Sequence, residues 1–155
     1  VFLDTLAQTL SGIGNAGVVW FALGIIVFVR EEKKDHRFFA PLAATGIMAW
    51  FTQWVLKQWI GRPRPTPEMG AVIVGTELVD FAFPSGHAMI AWAMATLLAA
   101  KEPRWRWVFY ILAGLISFSR IYLGKHYPLD VLAGGMVGWG IGAFVVLDKR
   151  HHSPA

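Results

Sequence analysis

Residues 38–65 read FFAPLAATGIMAWFTQWVLKQWIGRPRP, and this stretch indicates the class of fold. Its first nineteen residues carry no charge, which is close to the roughly 20 residues that an α-helix needs to cross the hydrocarbon core of a bilayer. Lys57 ends the uncharged run, and a segment rich in arginine and proline follows it. The pattern predicts a membrane-spanning helix that delivers cationic side chains to one face of the membrane.

The composition also indicates a membrane protein. Hydrophobic residues make up 55% of the 155 residues and charged residues 15%, whereas soluble domains carry about 25% charged residues. This composition excludes a disordered chain and disfavours a soluble domain. The net charge of +4 is expected in cytoplasmic loops rather than in a nucleic-acid interface. The lack of cysteine excludes disulfides, thiolate metal sites and cysteine nucleophiles.

Five segments are predicted to span the membrane. Three are long enough as uncharged runs, but the third and fourth reach spanning length only if they include His87 and Arg120. Ionisable residues at such positions are costly and mark functional sites. We therefore expect one all-α domain over residues 1–155, an integral membrane helical bundle with five transmembrane helices plus an N-terminal amphipathic helix. The predicted spans are 12–29, 38–56, 88–100 extended back to Ser85, 107–119 extended beyond Arg120, and 131–147.

The distribution of Lys and Arg predicts the orientation of these spans. Nine of the fourteen lie in the loops at 30–37, 101–106 and 149–150. That side is expected to be cytoplasmic, which places the segments around 57–87 and 119–130 outside. In a bacterium this means the inner (cytoplasmic) membrane, with the site facing the periplasm.

Two further patterns concern helix packing. Residues 1–10 have apolar side chains at helical spacing, which indicates an interfacial amphipathic helix rather than the remainder of another span. In the last span, Gly134, Gly138 and Gly142 form a stripe that allows close approach of a second helix. We favour packing within the monomer over dimerisation, and the oligomeric state remains open.

The polar residues expected outside fall into three clusters. Residues 84–87, PSGH, open a helix, and a helix N-terminus suits an anion such as phosphate. His126 and Asp130 are four residues apart at the start of the last span, so the carboxylate could fix the tautomer of the imidazole. The alternative is that Asp130 only caps the helix. Lys57, Arg64 and Arg120 could each extend singly to the interface, but together they suit a phosphate group.

Segments 57–65, 84–87 and 119–130 resemble, in order, the three signature motifs of the type 2 phosphatidic acid phosphatase superfamily. The resemblance implies that His126 is the nucleophile, that Asp130 orients it, and that His87 is the general acid. It implies no metal and no cofactor, and the sequence shows no carboxylate and histidine cluster of the kind that a two-metal phosphatase needs. The phosphate-binding residues implied by the motifs are Lys57, Arg64, Ser85, Gly86 and Arg120.

The predicted function is hydrolysis of a lipid phosphate or diphosphate at the outer leaflet through a phosphohistidine. The resemblance does not rank undecaprenyl diphosphate, phosphatidylglycerophosphate and phosphatidic acid. A lipid phosphotransferase is the main alternative, whereas a vanadium haloperoxidase or a non-catalytic lipid-binding subunit is disfavoured. Arg62 is expected to contact a second phosphate or to be a solvated loop charge, Lys125 to lie at the rim, and residues 68–81 to cover the site.

Overall fold

The computed structural model describes residues 1–30, 36–75 and 80–151, with the backbone alone at Ala16 and residues 149–151. Within these ranges the chain is helical and contains no β-strand, as predicted. The charged residues at 31–35 and part of the expected cover, residues 76–79, lie outside the described residues. The helices are α1 (Phe2–Ile13), α2 (Val18–Arg30), α3 (Phe39–Ile60), α4 (Gly86–Lys101), α5 (Arg106–Tyr122) and α6 (Pro128–His151).

Two stretches of the described chain, His36–Ile60 and Pro128–Asp148, are long and apolar enough to cross a membrane. The number becomes three if α1 and α2, which are bent by 66° relative to each other, form one broken span. Helices α4 and α5 contain 16 and 17 residues, at or below the lower end of the range of about 17–25 residues for a crossing. The two short predicted spans are thus present as helices, and their boundaries match the prediction.

The first predicted span, residues 12–29, is wrong as a single helix. The chain leaves α1 at Ile13, makes a short 3₁₀ turn over Asn15–Gly17, and enters α2 at Val18. Gly17 adopts φ +75°, a left-handed conformation that side chains with a Cβ rarely adopt. A run without charges therefore predicted continuity where a glycine-containing turn changes the direction of the chain.

Helix α4 forms the centre of the bundle and is buried along most of its length, packed between α3, α5 and α6. Small residues allow this close packing. A Cβ placed on Gly138 of α6 would lie 2.1 Å from the Met89 carbonyl oxygen, and one on Gly134 would lie 2.5 Å from that of Ser85. The glycine stripe packs within the monomer, as predicted, and it brings the N-terminus of α6 against that of α4.

Candidate active site

Backbone hydrogen bonds join the three motifs at one end of the bundle. The Ser85 amide donates to the Asp130 carbonyl over 3.0 Å, which connects the start of α4 to the start of α6. The Ala82 amide donates to the Arg62 carbonyl over 2.8 Å and attaches the segment before α4 to the segment after α3. These bonds hold residues distant in sequence at one site.

The motif residues surround a cavity of about 630 Å³. Ser85 and Asp130 are fully buried behind its wall. Lys125, expected at the rim, is half-buried and contributes to the lining. The predicted site residues that line the cavity are Lys57, Arg64, Gly86, His87, Arg120 and His126.

The two ring nitrogens of His126 have different partners, and these define its tautomer. Nδ1 lies 2.8 Å from the Ala82 carbonyl oxygen, which can only accept a hydrogen bond. Nε2 lies 3.0 Å from Nη1 of Arg64, which can only donate. The proton therefore resides on Nδ1, and the lone pair of Nε2 faces the cationic side of the cavity. Burial lowers the pKa of His126 to about 4, against the opposing effect of Asp130 and with added repulsion from Arg64.

Asp130 has a wider set of contacts than the sequence indicated. One carboxylate oxygen accepts a 2.9 Å hydrogen bond from the Tyr127 amide and lies 3.8 Å from Nδ1 of His126. The other oxygen accepts a 2.8 Å hydrogen bond from Nη1 of Arg62. Asp130 thus binds the backbone at the start of α6 and stands near the imidazole, while the Ala82 carbonyl is the closer partner of Nδ1.

Arg62 is not a solvated loop charge. Besides its ion pair with Asp130, its guanidinium lies 4.2 Å from the centre of the Tyr127 ring. A cation over an aromatic face is attracted to it. Arg62 therefore attaches the first motif to the third.

Asp80 is a site residue that the motifs did not indicate. Its carboxylate accepts a hydrogen bond from Lys57 Nζ, and its Oδ1 accepts two from Arg64, at 3.0 Å from Nε and 2.5 Å from Nη2. Burial raises the pKa of Asp80, but the bonds from Lys57 and Arg64 outweigh this effect and lower it. The protein thus places its own anion on two cations of the expected phosphate site.

Three buried side-chain groups have no hydrogen-bond partner among the residues that the structure describes. Nε1 of Trp20 belongs to the core of the bundle, whereas the Ser85 hydroxyl and Nε of Arg120 belong to the motifs at the cavity. Ser85 stands at the N-cap of α4, but its side chain makes no capping hydrogen bond. Because an unpaired buried donor is costly, the two at the cavity indicate a site built to receive an acceptor-rich ligand.

The N-terminal helix also contributes to the cavity, which the sequence analysis did not anticipate. Gln8 and Ser11 of α1 line it, together with Asn15 of the turn that follows. The signal was present as polar residues at positions 4, 8, 11 and 15, one face of a helix. The apolar residues of α1 indicated a helix at the membrane interface, and that interpretation gave its polar face no role in a site.

In the ranges 1–30, 36–75 and 80–151, no group of three or more His, Asp or Glu side chains is arranged to hold a metal ion. The charged wall of the cavity consists mainly of cations. Metal independence remains a prediction that an assay with a chelator tests.

Comparison with known proteins agrees with the geometry. The chain is 47% identical over 122 residues to an undecaprenyl-diphosphatase of Sulfolobus acidocaldarius, covering 77% of this chain and 58% of that relative. It is 31% identical to phosphatidylglycerophosphatase B of Bacillus subtilis, covering 86% of this chain and 70% of the relative. The chain thus spans little more than half the length of the first of these relatives.

A solved structure and a family model match as well. The crystal structure of Aquifex aeolicus LpxE superposes with a TM-score of 0.80 at 28% identity, covering 94% of this chain and 86% of that one. The family model described as the PAP2 superfamily matches residues 38–152, which include all three motifs but not α1. Since the matched region is more than half of the chain and contains every motif that meets at the cavity, the protein belongs to the PAP2 superfamily.

Proposed function

We propose that this chain is a membrane-embedded lipid phosphatase that hydrolyses a lipid phosphomonoester or diphosphate through a phosphohistidine. One observation carries the proposal: Nε2 of His126, which carries no proton and is contacted by Arg64, faces a cavity whose wall also includes Lys57 and Arg120. A deprotonated imidazole nitrogen is a nucleophile. The fixed cations around it suit the charge that develops on the oxygens of a transferring phosphoryl group.

The first chemical step forms a phosphorus–nitrogen bond. The lone pair of Nε2 attacks phosphorus, and the bond from phosphorus to the lipid-side oxygen breaks. His87, which lines the same cavity, donates a proton to that leaving oxygen. The imidazole of His126 gains positive charge, which the Ala82 carbonyl and Asp130 stabilise through Nδ1–H.

The second step returns the enzyme to its starting state. His87, now neutral, accepts a proton from water, and the water oxygen attacks phosphorus. The bond between phosphorus and Nε2 breaks, which releases inorganic phosphate and restores neutral His126. The Arg120 and Ser85 donors that lack partners supply hydrogen bonds to the phosphoryl oxygens in both steps, together with the Gly86 amide at the N-terminus of α4.

The membrane arrangement is part of the proposal. Five spans, formed by α1–α2 as a broken pair and by α3, α4, α5 and α6, would put the cavity on the side opposite most of the Lys and Arg residues. On the positive-inside rule this side faces the periplasm or the exterior. The lipid-facing surface that such spans require is present on α3, where Ile47, Phe51 and Trp54 are exposed.

The substrate class follows from chemistry and from relatives. The cavity provides cationic partners for phosphate, and the named relatives act on undecaprenyl diphosphate or phosphatidylglycerophosphate. A lipid phosphate or diphosphate is therefore the substrate that we propose, with the headgroup to be determined by assay.

The test is phosphate release by the detergent-purified protein with EDTA present. Undecaprenyl diphosphate, phosphatidylglycerophosphate and phosphatidic acid are compared side by side. His126→Ala is expected to reduce release at least about 10³-fold, because covalent catalysis is lost. His36→Ala, a matched substitution at an exposed site away from the cavity, should leave release unchanged.

Two outcomes would contradict the proposal. Release that EDTA abolishes, or that His126→Ala leaves intact, would exclude the metal-independent histidine mechanism. Transfer of labelled phosphate to a second lipid or a sugar without release of inorganic phosphate would identify a phosphotransferase.

A further inference from the structure

We propose that α1, which precedes the region matched by the family model, completes the active site, and that Ser11 is a positioning residue for Arg120. This inference rests on the proposed function for its catalytic meaning. Its physical content, control of anion binding by a residue of α1, can be measured without turnover.

Ser11 contacts a motif residue of α5 directly. Its hydroxyl accepts a hydrogen bond from Nη1 of Arg120. Ser11 and Arg120 are both more than nine-tenths buried, and both line the cavity that His87 and His126 line. One residue of α1 therefore holds a cation of α5 within the cavity wall.

The contact with Ser11 restricts the orientation of the Arg120 guanidinium. A bidentate grip on phosphate requires the planar fork to have one orientation. Ser11 occupies one terminal nitrogen, while Nε has no partner among the described residues. The donors left over are those that a phosphoryl oxygen can use.

The orientation of α1 agrees with this role. Its apolar side chains point away from the bundle, with Phe2 78% and Leu3 59% exposed. At its N-terminal end, Asp4 accepts a 2.9 Å hydrogen bond from the Tyr122 hydroxyl of α5. Just beyond its C-terminal end, a Cβ on Gly14 would lie 2.8 Å from Cγ2 of Ile116, also on α5. Contacts at both ends thus hold the polar face of α1 against the site.

The experiment measures the stabilisation of the detergent-purified full chain by orthovanadate, an anion that resembles the transferring phosphoryl group. Ser11→Ala is expected to raise the vanadate Kd about tenfold, a typical effect of losing one hydrogen bond to a charged group. Ser11→Thr keeps a hydroxyl and should restore most of the affinity. Thr9→Ala, which removes a hydroxyl from the exposed face of the same helix, should leave the Kd unchanged.

A double-mutant cycle distinguishes positioning from a general structural role. If Ser11 acts through Arg120, Ser11→Ala should have little additional effect on the vanadate Kd in an Arg120→Gln background. Equal effects in both backgrounds, or equal effects of Ser11→Ala and Thr9→Ala, would overturn the inference. So would a wild-type chain that does not bind vanadate.

Phosphate release by the same preparations separates this inference from the proposed function. A wild-type chain that hydrolyses none of the lipids yet binds vanadate with the expected dependence on Ser11 would refute the phosphatase and support the positioning role. An active wild-type chain whose vanadate Kd does not respond to Ser11→Ala would support the phosphatase and refute the positioning role.

Discussion

Substitution of Asp80 tests whether the cationic wall of the cavity is an anion site. The Asp80 carboxylate binds Lys57 and Arg64, so a phosphoryl group that uses both cations must displace it. Asp80→Asn removes the competing charge and keeps the size of the side chain. We therefore expect the variant to bind inorganic phosphate and orthovanadate more tightly than the wild type.

The magnitude follows from the contacts and their exposure. Hydrogen bonds between charged groups contribute about 1.5–3 kcal/mol when they are shielded, and exposed ion pairs about 0.2–1 kcal/mol. The Asp80 side chain is 55% exposed, so solvent screening brings its competition to about 1–2 kcal/mol. At 1.4 kcal/mol per factor of ten, the vanadate Kd should fall about 5–30-fold.

The assay is a vanadate titration of phosphate release and of thermal stability at constant ionic strength. The bonds from Lys57 and Arg64 keep the pKa of Asp80 below its usual value despite burial. The carboxylate is therefore charged throughout the neutral range, and its competition is lost only at acid pH, as the pH falls through this lowered pKa. The gain in affinity should accordingly be constant from about pH 5 to 8.

Glu68→Gln removes an exposed carboxylate from the same connecting segment and serves as the control. Tighter binding in both variants would indicate a general effect of net charge. Weaker binding in Asp80→Asn would refute the reasoning, since it would mean that Asp80 holds the two cations in place rather than competing for them.

Three further results are expected. Because the pKa of His126 is lowered to about 4 and the nucleophile is the deprotonated form, kcat/KM should persist at pH 5.5 and fall near pH 4; a fall centred at 6.5 would contradict this. Arg62→Gln should lower the free energy of unfolding by about 1–2 kcal/mol, since Asp130 loses a partly screened ion pair, and Arg62→Lys should recover part of it in thermal unfolding. Gly138→Ala should lower the free energy of unfolding by about 1–3 kcal/mol through overpacking, whereas Gly140→Ala, with open space at its Cβ, should not destabilise the protein. Equal melting temperatures of the two variants would contradict the close contact of α6 with α4.

Much of the helical framework could be predicted from the sequence. Uncharged runs identified α3 and α6, and the positions of His87 and Arg120 indicated correctly that the two short helices extend into polar residues. The spacing of Gly134, Gly138 and Gly142 indicated the contact with α4. These features are local or periodic, so the chain alone contains them.

The motif residues could also be identified in advance, since their order and spacing resemble those of the PAP2 superfamily. Of the eight predicted catalytic and phosphate-binding residues, six line one cavity and the other two, Ser85 and Asp130, lie behind its wall. The spacing could not show that the Ala82 carbonyl is the nearest partner of His126, because any residue can offer a carbonyl. That contact depends on how the segment before α4 crosses the start of α6.

The sequence by itself determined the membrane-protein class, most of the helices and the motif residues that meet at the cavity, because hydrophobicity and motif spacing lie along the chain. Only the tertiary structure decided which groups meet: Asp80 on two cations, Arg62 on Asp130, and Ser11 on Arg120. These partners are separated by 16 to 109 positions, and no local periodicity relates them. Their pairing arises when burial of α4 brings the ends of α1, α3 and α5 and the loops between the helices to one cavity.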